Sequence, residues 1–316
     1  MHDLKLMAKG QVTTMVWLEY LLPLIFLFPM AAMGGIVLAL RSLHDARVHS
    51  PFDAPLREPG QALRHRLDQA FSSLFLHGTL GPLVTLAPLV YGMGRMLFVD
   101  KQDWVEWALY GLLSTILVLA FSLLLIRDYQ RIRRLKLGLA CELAVGQELE
   151  RLVRPEAHPY YVFHDVPTDS FTIDHVVVTP HGVFVVETRA RALAIGTDGK
   201  ELNCVAVERE RLRFPHWQER RPLHKTRQGV NWLSQWLERR CGVPVPVKGV
   251  LVLPGWEIDT SEAASDILVV SGEQLARQLT ELTPGQMSDA IHDKVIHILL
   301  ERARLMELKH LRQPSV

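Results

Sequence analysis

Phe171-Thr172-Ile173-Asp174-His175-Val176-Val177-Val178-Thr179-Pro180-His181-Gly182-Val183-Phe184-Val185-Val186-Glu187-Thr188-Arg189 is the stretch on which the fold turns. Two apolar, β-branched runs, 171–179 and 183–189, flank Thr179-Pro180-His181-Gly182. Pro at the second position and Gly at the end predict a tight turn joining two strands. Both strands are apolar on both faces, as expected of strands covered on two sides.

Each strand carries one acid, Asp174 and Glu187. A carboxylate buried without a partner is strongly disfavoured, so two acids in neighbouring core strands call for a common partner. A shared cation is the simplest one. Mg²⁺ suits the role, because it takes carboxylate oxygens and keeps several waters. A loop centred on Pro180-His181 sets Asp174 opposite Glu187 on one face. A Gly182 bulge after a type I turn shifts the pairing by one residue and separates them. The sequence leaves both registers open. Glu187 and Arg189, two apart, share a face in either.

Outward from this pair the pattern is that of a mixed α/β domain. Residues 127–153 read as a helix, with Leu135, Leu139, Leu143, Leu149 and Leu152 at helical spacing. A strand is predicted over 160–166, a charged exposed strand or hairpin arm over 205–214, and a helix over 222–240 with Trp232, Leu233, Trp236 and Leu237 on its core side. Strands over 248–253 and 267–270 and helices from Gly272 and Thr283 complete a mixed sheet flanked by helices.

The N-terminal part is of another kind. Apolar runs over 15–40, 74–99 and 104–126 each approach the ~20 residues that span a bilayer core. Trp104, Trp107 and Tyr110 open the third as an interfacial aromatic group. The expected organisation is a membrane region over 1–126 with three transmembrane helices, then a cytosolic domain over 127–316 with its core at about 138–253. A cleaved signal peptide is the other reading of the first run, but the run exceeds the ~7–15 residues of such a segment. Arg41, Arg47, Arg57, Arg64 and Arg66 in the first loop, and Arg127, Arg131, Arg133, Arg134 and Lys136 after the third run, place those segments in the cytosol. This predicts a multi-pass inner-membrane protein with its N-terminus outside. Glu19, His77 and Arg95 are ionisable residues at membrane depth; helix pairing and snorkelling explain them more simply than an ion pathway does. Gly78, Gly81, Gly92 and Gly94 permit close helix packing.

Net charge is +1, which excludes a global basic field as an argument for nucleic acid. Cys141, Cys204 and Cys241 have neither zinc nor redox spacing and read as free thiols. His164, His175 and His181 lie at irregular spacing and suit packing or turn roles better than zinc. The basic residues over 209–227 interleave with Phe214, Trp217 and Trp232; such a stretch can follow a phosphate backbone and stack bases, or be a solvated edge or a surface on anionic lipid.

Asp174-His175 before a valine run, followed by Thr-Pro-His-Gly-Val-Phe-Val-Val-Glu-Thr-Arg, resembles the nuclease-related domain (NERD) of the restriction-endonuclease-like superfamily, which carries the PD-(D/E)xK arrangement. The likeness runs from Gly138 to about Leu253. Gly138-Leu139-Ala140-Cys141-Glu142 resembles the family's Gly-x-x-Gly-Glu helix, with Cys141 in place of the second glycine. The resemblance implies that Glu142 is the helix carboxylate, that Asp174 and Glu187 are metal ligands, and that Mg²⁺ or Mn²⁺ serves phosphodiester hydrolysis of DNA or RNA. It also departs from the family at two points. The usual third-motif Lys is Arg189, which stays protonated and cannot act as a base but can hold a phosphate. The family's Gln three residues after a helix Pro is Lys225 here, with Gln228 about one turn later. An amine that has moved from strand to helix is one reading. The expectation is a membrane-anchored nuclease-like protein whose catalytic candidates are Glu142, Asp174, Glu187, Arg189, Lys225 and Gln228. The alternatives are a degenerate binding or scaffold module with the same fold, and a small transporter or sensor with a regulatory domain. Membrane lipids, and DNA or RNA, are the partners implied.

Overall fold

The computed structural model describes residues 21–45, 57–97, 103–153, 160–196, 199–260 and 266–312. Glu19 and the start of the first apolar run lie outside them. The chain forms two compact units, Met1–Pro51 with Asp68–Arg133, and Phe52–Leu67 with Arg134–Val316. The sheet-bearing unit thus takes in a segment from well before residue 127.

In the first unit, a 3₁₀ turn Leu22–Leu27 with Pro near its start leads into helix α1 (Phe28–Asp45). Helix α2 spans Gln61–Met96 and helix α3 spans Trp104–Val153. The expected separate helix over 127–153 is the continuation of α3, because no Gly or Pro interrupts the sequence between the apolar run and Arg134. Helices α2 and α3 are each long and apolar enough to cross a membrane, and their apolar windows are only 11% and 6% buried, unlike core helices of a soluble fold. The apolar part of α1, Phe28–Leu40, is shorter than a span. Small residues sit where α2 meets α3: a Cβ on Gly92 would lie 2.8 Å from the Tyr110 ring and one on Gly81 3.1 Å from Phe121. Nothing lies that close to Gly78. The ionisable residues expected at membrane depth are paired, Arg95 with Glu106 and His77 with Asp128, each at 2.6 Å.

The second unit is built on strands β1 (Tyr161–Pro167), β2 (Thr172–Thr179) and β3 (Gly182–Thr188). Short strands β4 (Ala194–Ile195) and β5 (Glu201–Leu202) pair with each other. Next come β6 (Cys204–Val207), β7 (Leu212–Arg213) and β8 (Gln218–Glu219), helix α4 (Arg221–Cys241), β9 (Val247–Val252), β10 (Glu257–Asp259) and β11 (Leu268–Val270). Helices α5 (Leu275–Glu281) and α6 (Asp289–Arg312) follow. The main sheet has the order β1-β2-β3-β9-β11, antiparallel through β3 and parallel from β3 to β11. The expected charged arm over 205–214 is a β6–β7 hairpin in a second sheet, β10-β6-β7-β8.

The valine runs are covered on both faces, as their composition requires. Val176, Val178, Val183 and Val185 pack with Leu233, Trp236 and Leu237 of α4 and with Val295 and Leu299 of α6. Val177, Phe184 and Val186 pack on the opposite face with Val145, Leu149 and Leu152 of α3. The turn leaves Gly182 at φ 144°, where a Cβ would lie 2.8 Å from the Pro246 carbonyl oxygen, so glycine is required there.

Candidate active site

The β2–β3 ladder pairs Thr179 with Gly182, Val178 with Val183, and so on to His175 with Val186. This is the unbulged register, and the paired ladder ends one step short of Asp174 and Glu187. Alternation puts both on the α4 side, the face of Val176 and Val185. There Lys225, one turn into α4, meets them. Its Nζ donates to Glu187 Oε2 at 2.5 Å and to Asp174 Oδ1 at 3.2 Å. The other oxygen of Asp174 accepts the Thr188 backbone N–H at 2.8 Å. Gly229 leaves room for the arrangement, since a Cβ there would stand 3.1 Å from Val185 and 3.9 Å from Glu187 Oε1.

More carboxylates border this point than the sequence reading named. The β1–β2 ladder runs from Tyr161–Val178 to His164–His175, skips one position, and resumes at Val166–Ile173. The two residues at the skipped position, Asp165 and Asp174, are not a ladder pair. Asp165 is buried and has φ 48°, an uncommon backbone for a non-glycine residue. An acid inside an apolar strand was the signal that exposed Asp174, and it applies equally to Asp165 in Val162-Phe163-His164-Asp165-Val166. Glu142, on α3, is buried and lines the same cleft.

The electrostatics follow from this crowding. Burial, and then the charges of Asp174 and Asp165, push Glu142 up to about 8. Burial and the charge of Asp174 hold Glu187 well above the usual carboxylate range. Burial and Asp174 raise Asp165 as well. For Lys225, burial acts to lower the pKa, but Asp174 and Glu187 outweigh it and raise the group. Lys225 is therefore a proton-bearing donor at neutral pH. Behind the cleft, His175 is fully buried and driven down to about 3 by burial and by His164, whose Nδ1 lies 2.8 Å from its own. This is a neutral packing pair.

Three consecutive residues at the end of β3 leave buried polar atoms without hydrogen-bond partners: Glu187 Oε1, Thr188 Oγ1 and Arg189 Nε. Unsatisfied buried groups ask for an explanation, and polar atoms kept for a ligand are one. Among the described residues, no group of three or more His, Cys, Asp or Glu side chains is arranged to hold a metal ion. The meeting point of Asp174 Oδ1 and Glu187 Oε2 is held by the Lys225 ammonium, and Asp174 Oδ2 by the Thr188 N–H, which leaves Glu187 Oε1 as the oxygen of the pair without a partner. An ion that takes few protein oxygens and keeps its waters is the kind that such a pair would hold.

Residues 137–254 match the family model of the nuclease-related domain, NERD. No curated protein and no solved structure gives a significant match to the chain. The matched stretch takes in Glu142, Asp174, Glu187, Arg189 and Lys225, and all five line or border one cleft. Gln228 is not brought there. It lies in a neighbouring groove with His224, Asn231, Trp232 and Gln235, because one face of α4 carries Lys225 and Gly229 toward the sheet and another carries Gln228 outward. The basic run over 209–227 is also largely committed to ion pairs within the fold. Arg211 pairs with Glu208, and Arg227 pairs with Asp266 and Glu210. Phe214, Trp217 and Trp256 pack on one another instead of standing free.

Proposed function

We propose that this chain is a membrane-anchored, metal-dependent nuclease acting on DNA or RNA at the cytosolic membrane face. The observation that carries the reading is the meeting of Asp174 and Glu187 on one ammonium, inside a domain that matches the nuclease-related family. Asp174 and Glu187 would hold Mg²⁺ or Mn²⁺. When bound, such an ion activates water and neutralises charge on a phosphodiester under attack. Thr188 N–H fixes the Asp174 carboxylate. Lys225 offsets the carboxylate charge and, still protonated, donates a hydrogen bond to a phosphate oxygen. Arg189, with Nε uncommitted, holds a second phosphate oxygen. Lys225 thus supplies from the helix the amine that the strand lacks. This weighs against a degenerate binding module, the reading that Arg189 in place of Lys would otherwise favour.

Helices α2 and α3 support anchoring, with the run over 15–40 as a third span, and the arginine-rich flanks support the cytosolic placement. Tags on either terminus, tested for protease access in intact and opened cells, report the orientation. The activity is tested by incubating the purified full chain with labelled DNA and RNA in Mg²⁺, Mn²⁺ or EDTA. Metal-dependent fragments uphold the reading. Binding without fragments in either metal assigns the chain to the binding-module class.

A further inference from the structure

We infer that the segment Arg57–Arg66, together with Arg134 of α3, is a wall of the cleft that grips the phosphodiester backbone of a nucleic acid and leads it to Asp174 and Glu187. Arg57, Arg66 and Arg134, which line the cleft, lie outside residues 137–254, so nothing in the family match assigns them. The inference rests on the nuclease reading of the same cleft.

The segment is built into the domain. Gly60 N–H donates to Glu142 Oε1 at 3.1 Å, and Ala62 N–H donates to Asp165 Oδ2 at 2.9 Å. An Arg57 Nη1–H donates to the Asp165 carbonyl at 3.3 Å. Helix α3 is shaped to receive it. Gly138, Glu142 and Gly146 recur every four residues on one stripe. A Cβ on Gly146 would lie 2.7 Å from Pro59, and one on Gly138 would lie 3.3 Å from Leu63. Gly60 itself takes φ 74° to pass Leu139.

The resulting cleft, of about 660 Å³, is lined on one side by Arg57, Arg66 and Arg134 and on the other by Arg189 and Lys225, with Asp174 at its base. Arg66 and Arg134 are exposed. Glu187 Oε1 and Arg189 Nε are buried beside this cleft without hydrogen-bond partners. A row of cations beside an acidic metal-binding base suits a polymer with regularly spaced phosphates, because only such a ligand offers one phosphate to the base and others to the walls at once. A lone headgroup would fill one end.

The test uses the full chain in a neutral detergent with EDTA. Affinities for a mixed-sequence single-stranded DNA oligonucleotide and for its duplex are measured across a salt series for wild type, R66A, R134A, R66A/R134A and, as a remote control, R277A. The expected result is a roughly tenfold or greater loss of affinity at low salt for the double variant. Its log–log salt slope should be shallower by about 0.7–0.9 for each phosphate contact removed, with R277A like wild type. An unchanged affinity and slope in R66A/R134A overturns the inference. So does a loss confined to phosphatidylserine vesicles, which would make the arginines headgroup ligands. Wild type that binds neither DNA probe nor the matching RNA overturns both this inference and the nuclease reading. The expected slope change in R66A/R134A, with a wild type that binds but never cuts in Mg²⁺ or Mn²⁺, overturns the nuclease reading alone.

Discussion

The Nζ of Lys225 lies 2.5 Å from Oε2 of Glu187, linking residues 38 positions apart through a helix and a strand. Glu187 is 2% exposed and Lys225 is its cation. K225M strands that carboxylate. The expected loss is on the order of 2 kcal/mol, below the range for a fully buried pair because the Lys225 side chain is 36% exposed. Part of it returns in E187Q/K225M, which removes the Glu187 charge but leaves Asp174 without its lysine partner. Thermal melts of the four proteins of this cycle measure it; additive losses would show that the two groups do not interact.

The amine is expected to work from the helix. R189K, which restores the family's usual strand lysine, should cleave within severalfold of wild type, whereas K225M should fall about a hundredfold, the size of losing one positioned donor. In R189K/K225M the rate should stay low. Recovery in that double variant would place the working amine on β3.

Glu142 gives a pH signature. Its carboxyl is raised from 4.5 to about 8 in the fold, so the folded chain keeps a proton that the unfolded chain releases. The stability this confers is complete below about pH 4.5 and is lost as pH rises through about 8. E142Q keeps an oxygen for the Gly60 N–H and removes the titration. E142Q should be as stable as wild type near the acidic end and more stable at about pH 9, by on the order of a few kcal/mol, read from denaturant melts at each pH. Parallel pH curves for the two proteins would refute the shift.

Gly182 tests the register. G182A places a Cβ at φ 144° and 2.8 Å from a backbone oxygen, which should cost about 1–3 kcal/mol. A neutral G182A would mean that the turn is not the one described.

Much of the sheet was legible from local pattern. The two valine runs, the Pro180-His181 loop and the acids at matched distances from it fix one hairpin, and the structure selects its unbulged register. Lys225 was legible as an amine displaced by about one motif position. Asp165 went unread although it carries the same cue as Asp174, because a single acid before Pro167 resembles the end of a strand. The segment Arg57–Arg66 was illegible for a stronger reason. Its arginines look like topology signals, and its ties to Glu142 and Asp165 span 82 and 103 residues, beyond any local period. Gln228 was misplaced because a three-residue step from Lys225 turns a helix to another face.

The most direct measurement is single-turnover cleavage of one labelled strand by wild type and E187Q, prepared identically, in Mg²⁺ or Mn²⁺ and with substrate binding checked in each. The prediction is metal-dependent cutting by wild type and a drop of at least about a hundredfold in E187Q, with binding preserved. Equal cutting by both proteins, or none by wild type in either metal, would contradict a phosphodiester-cleaving centre at Asp174 and Glu187.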